Sequence, residues 1–452
     1  MTKRANFLNR YFFLILIILM AANFVGHYHA RTGLISYYKD FGRMINSGFK
    51  IKIDNPTFPM WGYGFIYAIT DNKIVILLLQ FFLSFFVICV IERFSRHIFK
   101  TNQAKMFFKI LLLFSFSWFV FNATLWPYSI AANFATLSLI LLYYFFNTER
   151  LRYLILSAGL FGTTLNFRSD YFLYPLFLFA ILLIVKFYFF RKKILTGLKI
   201  RYIFVWVITI YLFLAPYAIY AKKSTGHYLF TSTNGGAALY LSLGQLPNNK
   251  WGITPIDGDP VMAETVNKQF NANTNKSTSA YDYIADIFLK KQYLIMVINK
   301  PFEYFKKIIY STGLVLTGGF YAGEYLNWVT PPGRTAAIHQ EIKASLKEMN
   351  FKNIFSILRK EGMIFVLLYF PEKLFVVYGK MLFIFFNFSL LFFIYKRFYR
   401  TDYLLSLTFL SMIFYQFTLC TLVYYMCSYI TNLYLIYIFI ISWAIDCRLN
   451  KA

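Results

Sequence analysis

The chain has 452 residues, 59% hydrophobic and only 14% charged, with a formal net charge of +27. A soluble domain carries about 25% charged residues, so this composition excludes one. It also excludes nucleic acid as a partner, because no soluble basic domain exists to carry it; the excess of Lys and Arg reads instead as the cytoplasmic flanks of membrane spans and as contacts with anionic lipid.

After the basic start MTKRANFLNR, the first apolar run covers about 11–27. No small-residue cleavage site follows it, so it reads as a retained signal-anchor. Further apolar runs centre near 73–92, 106–122, 128–146, 151–167, 171–190, 202–220, 374–395, 403–425 and 428–445. Each approaches the roughly 20 residues that a helix needs to cross a bilayer, which makes about ten spans. The basic connections are Lys3/Arg4/Arg10, Arg93/Arg96/Lys100/Lys105, Arg150/Arg152, Arg191/Lys192/Lys193/Lys199/Arg201, Lys396/Arg397/Arg400 and Arg448/Lys451. All fall on one side of such a bundle, so the positive-inside rule puts both termini in the cytoplasm of a multi-pass protein of the cytoplasmic membrane. The spans group as 1–221 and 363–452, around an extracytoplasmic segment at 222–362.

Three features then lie outside. The first is the loop 28–72, in which Tyr38, Gly42, Ile45 and Phe49 recur at helical spacing and Gly48 supplies a stop. That stripe predicts a helix lying flat on the membrane, followed by a Pro- and aromatic-rich turn, NPTFPMWGY, that returns the chain into the second span. The second is the tight hairpin NFRSDYFLYP. The third is 222–362. It opens on STGHYLFTSTNGGAALYLSLGQLPNN, read as strand–turn–strand, and continues into helical spacing through YIADIFLKKQYLIMVINKPFEYFKKII. The fold class expected is a polytopic all-α membrane protein with an α/β extracytoplasmic segment. The glycine-rich patch at 311–323 reads as interfacial or as protein core.

Few residue patterns point to chemistry directly. Cys89, Cys420, Cys427 and Cys447 show no CxxC spacing, so neither a zinc site nor a redox pair is indicated. His27 and His29 point about 200° apart on a helix, poor geometry for one metal. Asp257 and Asp259 in IDGDP lack the other ligands of a calcium loop and read as a solvated turn. His97 falls on the cytoplasmic side, and Glu324 follows the glycine-rich patch. No GxSxG, Walker or HExxH motif is present.

The opening loop resembles that of GT-C class membrane glycosyltransferases, such as protein O-mannosyltransferases and aminoarabinose transferases, which use polyprenyl-phosphate sugars. Tyr38, Gly42, Gly48, Pro56, Pro59, Gly62 and Tyr63 match the family's Tyr, small residue, Gly and P-x-x-P-G/W-x-Y order. NFRSDYFLYP is similar to its Arg-Pro-Asp/Glu segment, TGHYLFTSTNGGAALYLSLG to the start of its outer domain, and VINKPFEYFKKII to a later helix. The loop acid of the family precedes the tyrosine by three or four residues; here those positions are Leu34 and Ile35, and the nearest acid is Asp40. WPYSIAAN lacks the family's acid after a proline, and Ser428-Tyr429 stands where Arg-Tyr is usual.

The resemblance implies an inverting single displacement that moves a sugar from a polyprenyl-phosphate donor to a lipid, glycan or protein acceptor at the outer face of the membrane. It implies no required cofactor, although some relatives use a divalent metal, Mg or Mn. The leaving phosphate calls for cations, and Arg offers a fixed fork of donors. Arg168 beside Asp170 is the expected phosphate holder, with Arg31 in support and Lys39 and Arg43 nearby; an Arg168–Asp170 pair alone is the structural alternative. Asp40, then Asp54, are the candidate bases for a hydroxyl acceptor, and Tyr38, Tyr63 and His227 the expected lining residues. An acceptor that is itself a phosphate needs no base. An O-antigen ligase or polymerase, a lipid or glycan flippase, and an inactive relative remain alternatives. A flippase would need paired charges buried among the spans, where the sequence offers few, such as Glu92 and Lys186 near their ends.

Overall fold

The computed structural model describes residues 2–26, 35–189, 200–256, 259–270, 279–318, 332–396, 401–426, 429, 431 and 433–450. They form an all-helical membrane protein. α1 (Thr2–Gly26) is followed by two helices of the opening loop, α2 (Ile35–Asn46) and α3 (Gly62–Ile69). Next come α4 (Lys73–Ile98), α5 (Asn102–Leu113), α6 (Phe116–Ala123), α7 (Pro127–Thr148), α8 (Leu151–Phe167), α9 (Tyr174–Phe189), α10 (Ile200–Leu212) and α11 (Ala215–Thr225). The outer segment contributes α12 (Gly235–Ser242), α13 (Pro260–Phe270), α14 (Tyr283–Asn299), α15 (Pro301–Thr317), α16 (Pro332–Lys347) and α17 (Phe351–Glu361). The chain returns through α18 (Met363–Tyr395), α19 (Tyr403–Leu422) and α20 (Tyr434–Leu449).

Among the described residues, five helical stretches are long and apolar enough to cross a bilayer: Lys73–Ile98, Pro127–Thr148, Ser169–Lys186, Val376–Tyr395 and Tyr403–Leu422. α10 and α11 make a sixth if their junction, bent by 41°, is one broken span. The bend falls just before Pro216, which has no N–H to give to Leu212 and so cannot continue the ladder. The run expected to span as 106–122 is also interrupted, because Phe114 and Ser115 leave the helix and the Ser115 hydroxyl donates to the Leu111 carbonyl at 2.6 Å.

Two expectations about the outer face need correction. The described part of 222–362 holds helices and turns and no strand. The Gly235-Gly236 pair does not turn a hairpin. It seats α12 against α14, where a Cβ on Gly236 would lie 2.2 Å from the Asp286 carbonyl oxygen, and the Asp286 carboxylate accepts the Gly236 N–H at 2.6 Å. The opening helix does form, with Gly48 at φ +65° ending it, but its buried stripe is Tyr38, Phe41, Gly42 and Met44, and Phe49 lies beyond the helix and exposed. The stripe faces α3 rather than lipid. A Cβ on Gly42 would sit 2.7 Å from the Tyr67 carbonyl carbon, and one on Gly64 would sit 2.5 Å from the Phe41 Cβ. These two glycines let α2 and α3 touch backbone to backbone.

The main core runs through the bundle, from Phe12 and Leu16 of α1 to Phe439 and Trp443 of α20. A separate core lies in the outer segment around Tyr240, Leu289 and Tyr293. Of the glycine-rich patch, residues 311–317 complete α15, where Ser311 and Val315 are buried in the protein; 319–323 lie outside the described residues. Near the expected cytoplasmic ends, Glu92 pairs with Arg96 at 2.6 Å and with the buried Lys109 at 3.4 Å. Asp446 of α20 accepts the backbone N–H groups of Lys100 and Thr101 at 3.0 and 2.7 Å, tying the last helix to the start of α5.

The close approach of the start of α3 to the end of α8 yields a test. A Cβ on Gly62 would lie 2.5 Å from the Asn166 carbonyl oxygen, whereas one on Gly313 of α15 meets nothing within 4 Å. Gly62→Ala should lower unfolding stability by about 1–3 kcal/mol, while Gly313→Ala should be neutral or stabilising by up to about 1 kcal/mol. Thermal unfolding of the two variants in one detergent measures both.

Candidate functional site

α8 ends at Phe167 because Arg168 is extended, with φ −147° and ψ 117°, and a single 3-10 turn over Ser169–Tyr171 leads into α9. This short turn brings Arg168 and Asp170 onto one side, Nε to Oδ1 at 2.8 Å, with the side chains only 13% and 7% exposed. The guanidinium carbon lies 3.5 Å from the centroid of the Tyr128 ring and 5.4 Å from that of Tyr429. Tyrosine faces are electron-rich and favour a cation there. Burial opposes the charge on Arg168, but Asp170 and the surrounding tyrosines hold its pKa well above the ordinary value. The only hydrogen bond that the guanidinium gives to a described residue is the one from Nε. Both Nη groups are therefore free of described protein acceptors, and among the described residues Asp170 Oδ2 is buried without a partner.

The surrounding elements hold this pair from several directions. Tyr415 of α19 donates to the Asp170 carbonyl at 2.6 Å, and the Tyr128 hydroxyl lies 3.4 Å from the Met426 sulfur. From the opening loop, the Trp61 indole donates to Asn166 Oδ1 at 2.7 Å. Tyr38 and Tyr63 meet edge to face at 5.0 Å, and Tyr63 reaches Phe167 at 6.5 Å. Burial raises the Tyr38 phenol well above its usual range, with the charge of Arg168 pulling the other way. From the outer segment, Ser232 and Ser169 hydroxyls are 3.1 Å apart, and Thr233 pairs with Thr57 at 3.0 Å. The opening loop, the 168–170 turn and the start of the outer segment therefore converge on one place.

The expected residues divide sharply. Arg168 and Asp170 form the centre, and Tyr38 lies within electrostatic reach of it. Tyr63 is buried behind it, donating to Gln80 Oε1 at 2.7 Å; the Gln80 amide in turn reaches the Asn122 and Thr124 carbonyls and the Ser129 hydroxyl at 2.8–3.0 Å. Asp40 points outward and pairs with the exposed Arg43 at 3.3 Å. Asp54 is exposed on the loop, and the exposed His227 stacks on Tyr283 at 4.5 Å. Neither acid shares a hydrogen bond or ion pair with Arg168. His97 rests beside the Tyr144 ring. Arg31, His27, His29, Asp257, Glu324, Cys427 and Ser428 lie outside the described residues. Asp259 is not solvated as expected: it is buried and caps α13, taking the Met262 N–H and the Thr254 N–H, each at 2.8 Å. Among the described residues no group of three or more His, Cys, Asp or Glu could hold a metal ion.

Sequence reasoning passed over the tyrosines. Tyr128 and Tyr429 sit in segments already singled out, WPYSIAAN and Ser428-Tyr429, but aromatics at span ends normally signal only an interfacial belt. It also passed over Lys307 of α15, whose buried ammonium donates to the carbonyls of Thr421, Leu422 and Val423 at 3.1, 3.2 and 2.8 Å. Burial pulls its pKa down to about 7; the three acceptors at the negative end of α19 favour the charged form. Tyr304 adds a hydrogen bond to the Leu422 carbonyl at 2.8 Å, and Gln245 clasps the backbone of Tyr425 at 2.7 and 2.9 Å. The chain leading to Met426 and Tyr429 is thus pinned to the outer segment.

Comparison with protein-family models, with curated proteins and with solved structures gives no match.

Lys307→Met would take its donor from the Thr421 and Val423 carbonyls and leave the Leu422 carbonyl to the Tyr304 hydroxyl alone. Removing one partner of a buried polar group costs about 1–3 kcal/mol, and the variant should show that loss in thermal unfolding. Lys307→Arg, which keeps a cation and more donors, should lose less.

Proposed function

We propose that this chain is a GT-C class glycosyltransferase of the cytoplasmic membrane. It would move a sugar from a polyprenyl-phosphate donor to a lipid, glycan or protein acceptor at the outer face. In this reading the shorter and broken apolar helices complete about ten spans, with both termini in the cytoplasm. The observation that carries the proposal is a largely buried arginine, flanked by tyrosine rings, with both Nη groups free of described acceptors, at the junction of the opening loop and the outer segment.

The donor phosphate would take the two Nη groups in the forked geometry that arginine provides. Asp170 would keep Nε engaged and fix the plane of the guanidinium, and its unpartnered Oδ2 would accept a hydroxyl from the sugar. The acceptor oxygen would attack the anomeric carbon from the face opposite the phosphate. The bond from that carbon to the phosphate oxygen breaks, the electron pair leaves with the polyprenyl phosphate, and the configuration inverts. Arg168 stabilises the charge that develops on the leaving group. A neutral hydroxyl acceptor would lose its proton to a carboxylate, for which Asp40 and Asp54 are the loop candidates. Since neither is bonded to the Arg168 centre, an acceptor already anionic, such as a phosphate, suits the site better. No metal is needed for these steps; Mg or Mn could assist the leaving phosphate.

Transfer of label from a polyprenyl-phosphate sugar by purified protein tests the proposal. Removing one such stabilising donor typically costs about 10²–10³ in rate, so Arg168→Ala should fall by that order. Arg168→Lys keeps the charge that Asp170 needs for folding but loses the fork, and should fall by a large part of it. Asp40→Asn and Asp54→Asn should stay near wild type with a phosphate acceptor. Unchanged transfer by a folded Arg168→Lys and Arg168→Ala would overturn the assignment.

A further inference from the structure

A second basic surface lies on the same face of the molecule. Between the opening loop and α11 runs a half-open groove of about 840 Å³, within the 300–1,000 Å³ typical of small-molecule sites. Its wall is aromatic and aliphatic. The Trp61 and Tyr220 rings stack at 5.7 Å, Phe49 packs on Tyr220 at 5.6 Å, and the Tyr220 hydroxyl is held 3.1 Å from the Met44 sulfur. Its rim carries Lys52 and Lys223, both exposed, and none of its described lining residues is acidic. Neither ammonium has a carboxylate or hydrogen-bond partner among the described residues. Phe49 and Ile219 are 49% and 53% exposed on its open side, and Leu212, two helical turns before Ile219 on the bent α10–α11 pair, is exposed as well.

Two unpaired lysines beside exposed apolar side chains match the two halves of an anionic lipid. The lysines also stand where the positive-inside bias would leave few, on the face away from the basic connections. We infer that this groove is a site for an anionic phospholipid of the surrounding bilayer, its phosphate held between Lys52 and Lys223 and an acyl chain lying along Ile219 toward Leu212. Trp61 forms one wall of the groove and bonds on its other side to Asn166, two residues before Arg168. The bound lipid would therefore brace the opening loop against the 166–170 turn.

This site stands apart from the transfer reaction, so its test uses no donor. Purified full-length protein in detergent is titrated with a short-chain phosphatidylglycerol, a phosphatidylcholine of equal chain length, and glycerol 1-phosphate, with bound species read by native mass spectrometry. The wild type should show one saturable phosphatidylglycerol site that the choline lipid does not fill. With each lysine near an anionic lipid contributing its usual electrostatic share, the Lys52→Ala/Lys223→Ala double variant should bind about thirtyfold more weakly. Ile219→Trp, which keeps both charges but fills the groove, should also lose the site. Arg168→Lys should bind the lipid like wild type, so failure of the transfer proposal leaves this result standing. Equal binding of both lipids, undiminished binding by the double variant or by Ile219→Trp, or full competition by glycerol 1-phosphate at matched concentration would each overturn the lipid assignment.

Discussion

The structure turns on the burial of one charge, the guanidinium of Arg168. A lone charge taken out of water costs several kcal/mol after relaxation, and the protein offsets this with Asp170 at 2.8 Å and with two tyrosine faces. The 168–170 turn by itself supplies only Asp170. Tyr128 opens α7, Tyr415 closes on the Asp170 carbonyl from α19, and Tyr429 follows the 421–426 stretch that Lys307 and Gln245 pin. The charge is tolerable only where all of these segments have already met. Its burial therefore depends on the packing of much of the bundle, and the packing around it must accommodate the charge.

The opening loop is elaborate because it has to reach this turn closely. Gly42 and Gly64 bring α2 and α3 into backbone contact, and Gly62 brings the start of α3 onto the carbonyl of Asn166. A side chain at any of the three would separate elements whose polar ends are bonded to each other. Behind the contact, Tyr63, Gln80, Asn122, Ser84 and Asn133 form a buried network of hydrogen bonds of 2.6–3.1 Å. In a low-dielectric interior such a network specifies one arrangement, because an unpaired member would be costly. The loop is thus joined to the spans rather than resting on the membrane, and this is why its apolar stripe proved to be a packing surface.

The sequence was legible where one periodicity or one special residue governed the outcome. Helical spacing located α2, Gly48 located its end, and the charge pair of Arg168 with Asp170 followed from two charged residues so close to a span. It was misleading where residue types served two ends. The threonines and glycines at 231–236 carry β-turn statistics, yet here they provide hydroxyl ties to Thr57 and Tyr281 and a flat seat for α12 on α14. Asp259 looked like a solvated turn and is a buried helix cap. The tyrosines around Arg168 left no local signal, since a cation–π partner is recognised by where its ring lies in space and not by any spacing in the chain. Lys307 was hidden for the same reason: its acceptors are the carbonyls of a helix end more than a hundred residues away.

Tyr38, Tyr128, Arg168, Ser232, Tyr415 and Tyr429 come from six separate stretches, and no two neighbouring helices alone could assemble them. A site built this way is completed late in folding, because each contributor must lose its conformational freedom before the contacts that reward the loss exist. It also means that substitutions far from Arg168 can loosen it without touching it. Those at Gly62 or Lys307 act on the elements that carry the cage, so they would change the angle and distance of the rings before they changed the charge. A donor phosphate held by a planar fork, as proposed, would be sensitive to such small displacements, whereas a lipid phosphate between the two exposed lysines would not. The two anion-facing surfaces on this side of the molecule are in that sense opposites: one is rigid, enclosed and dependent on the complete fold, and the other is open and adaptable.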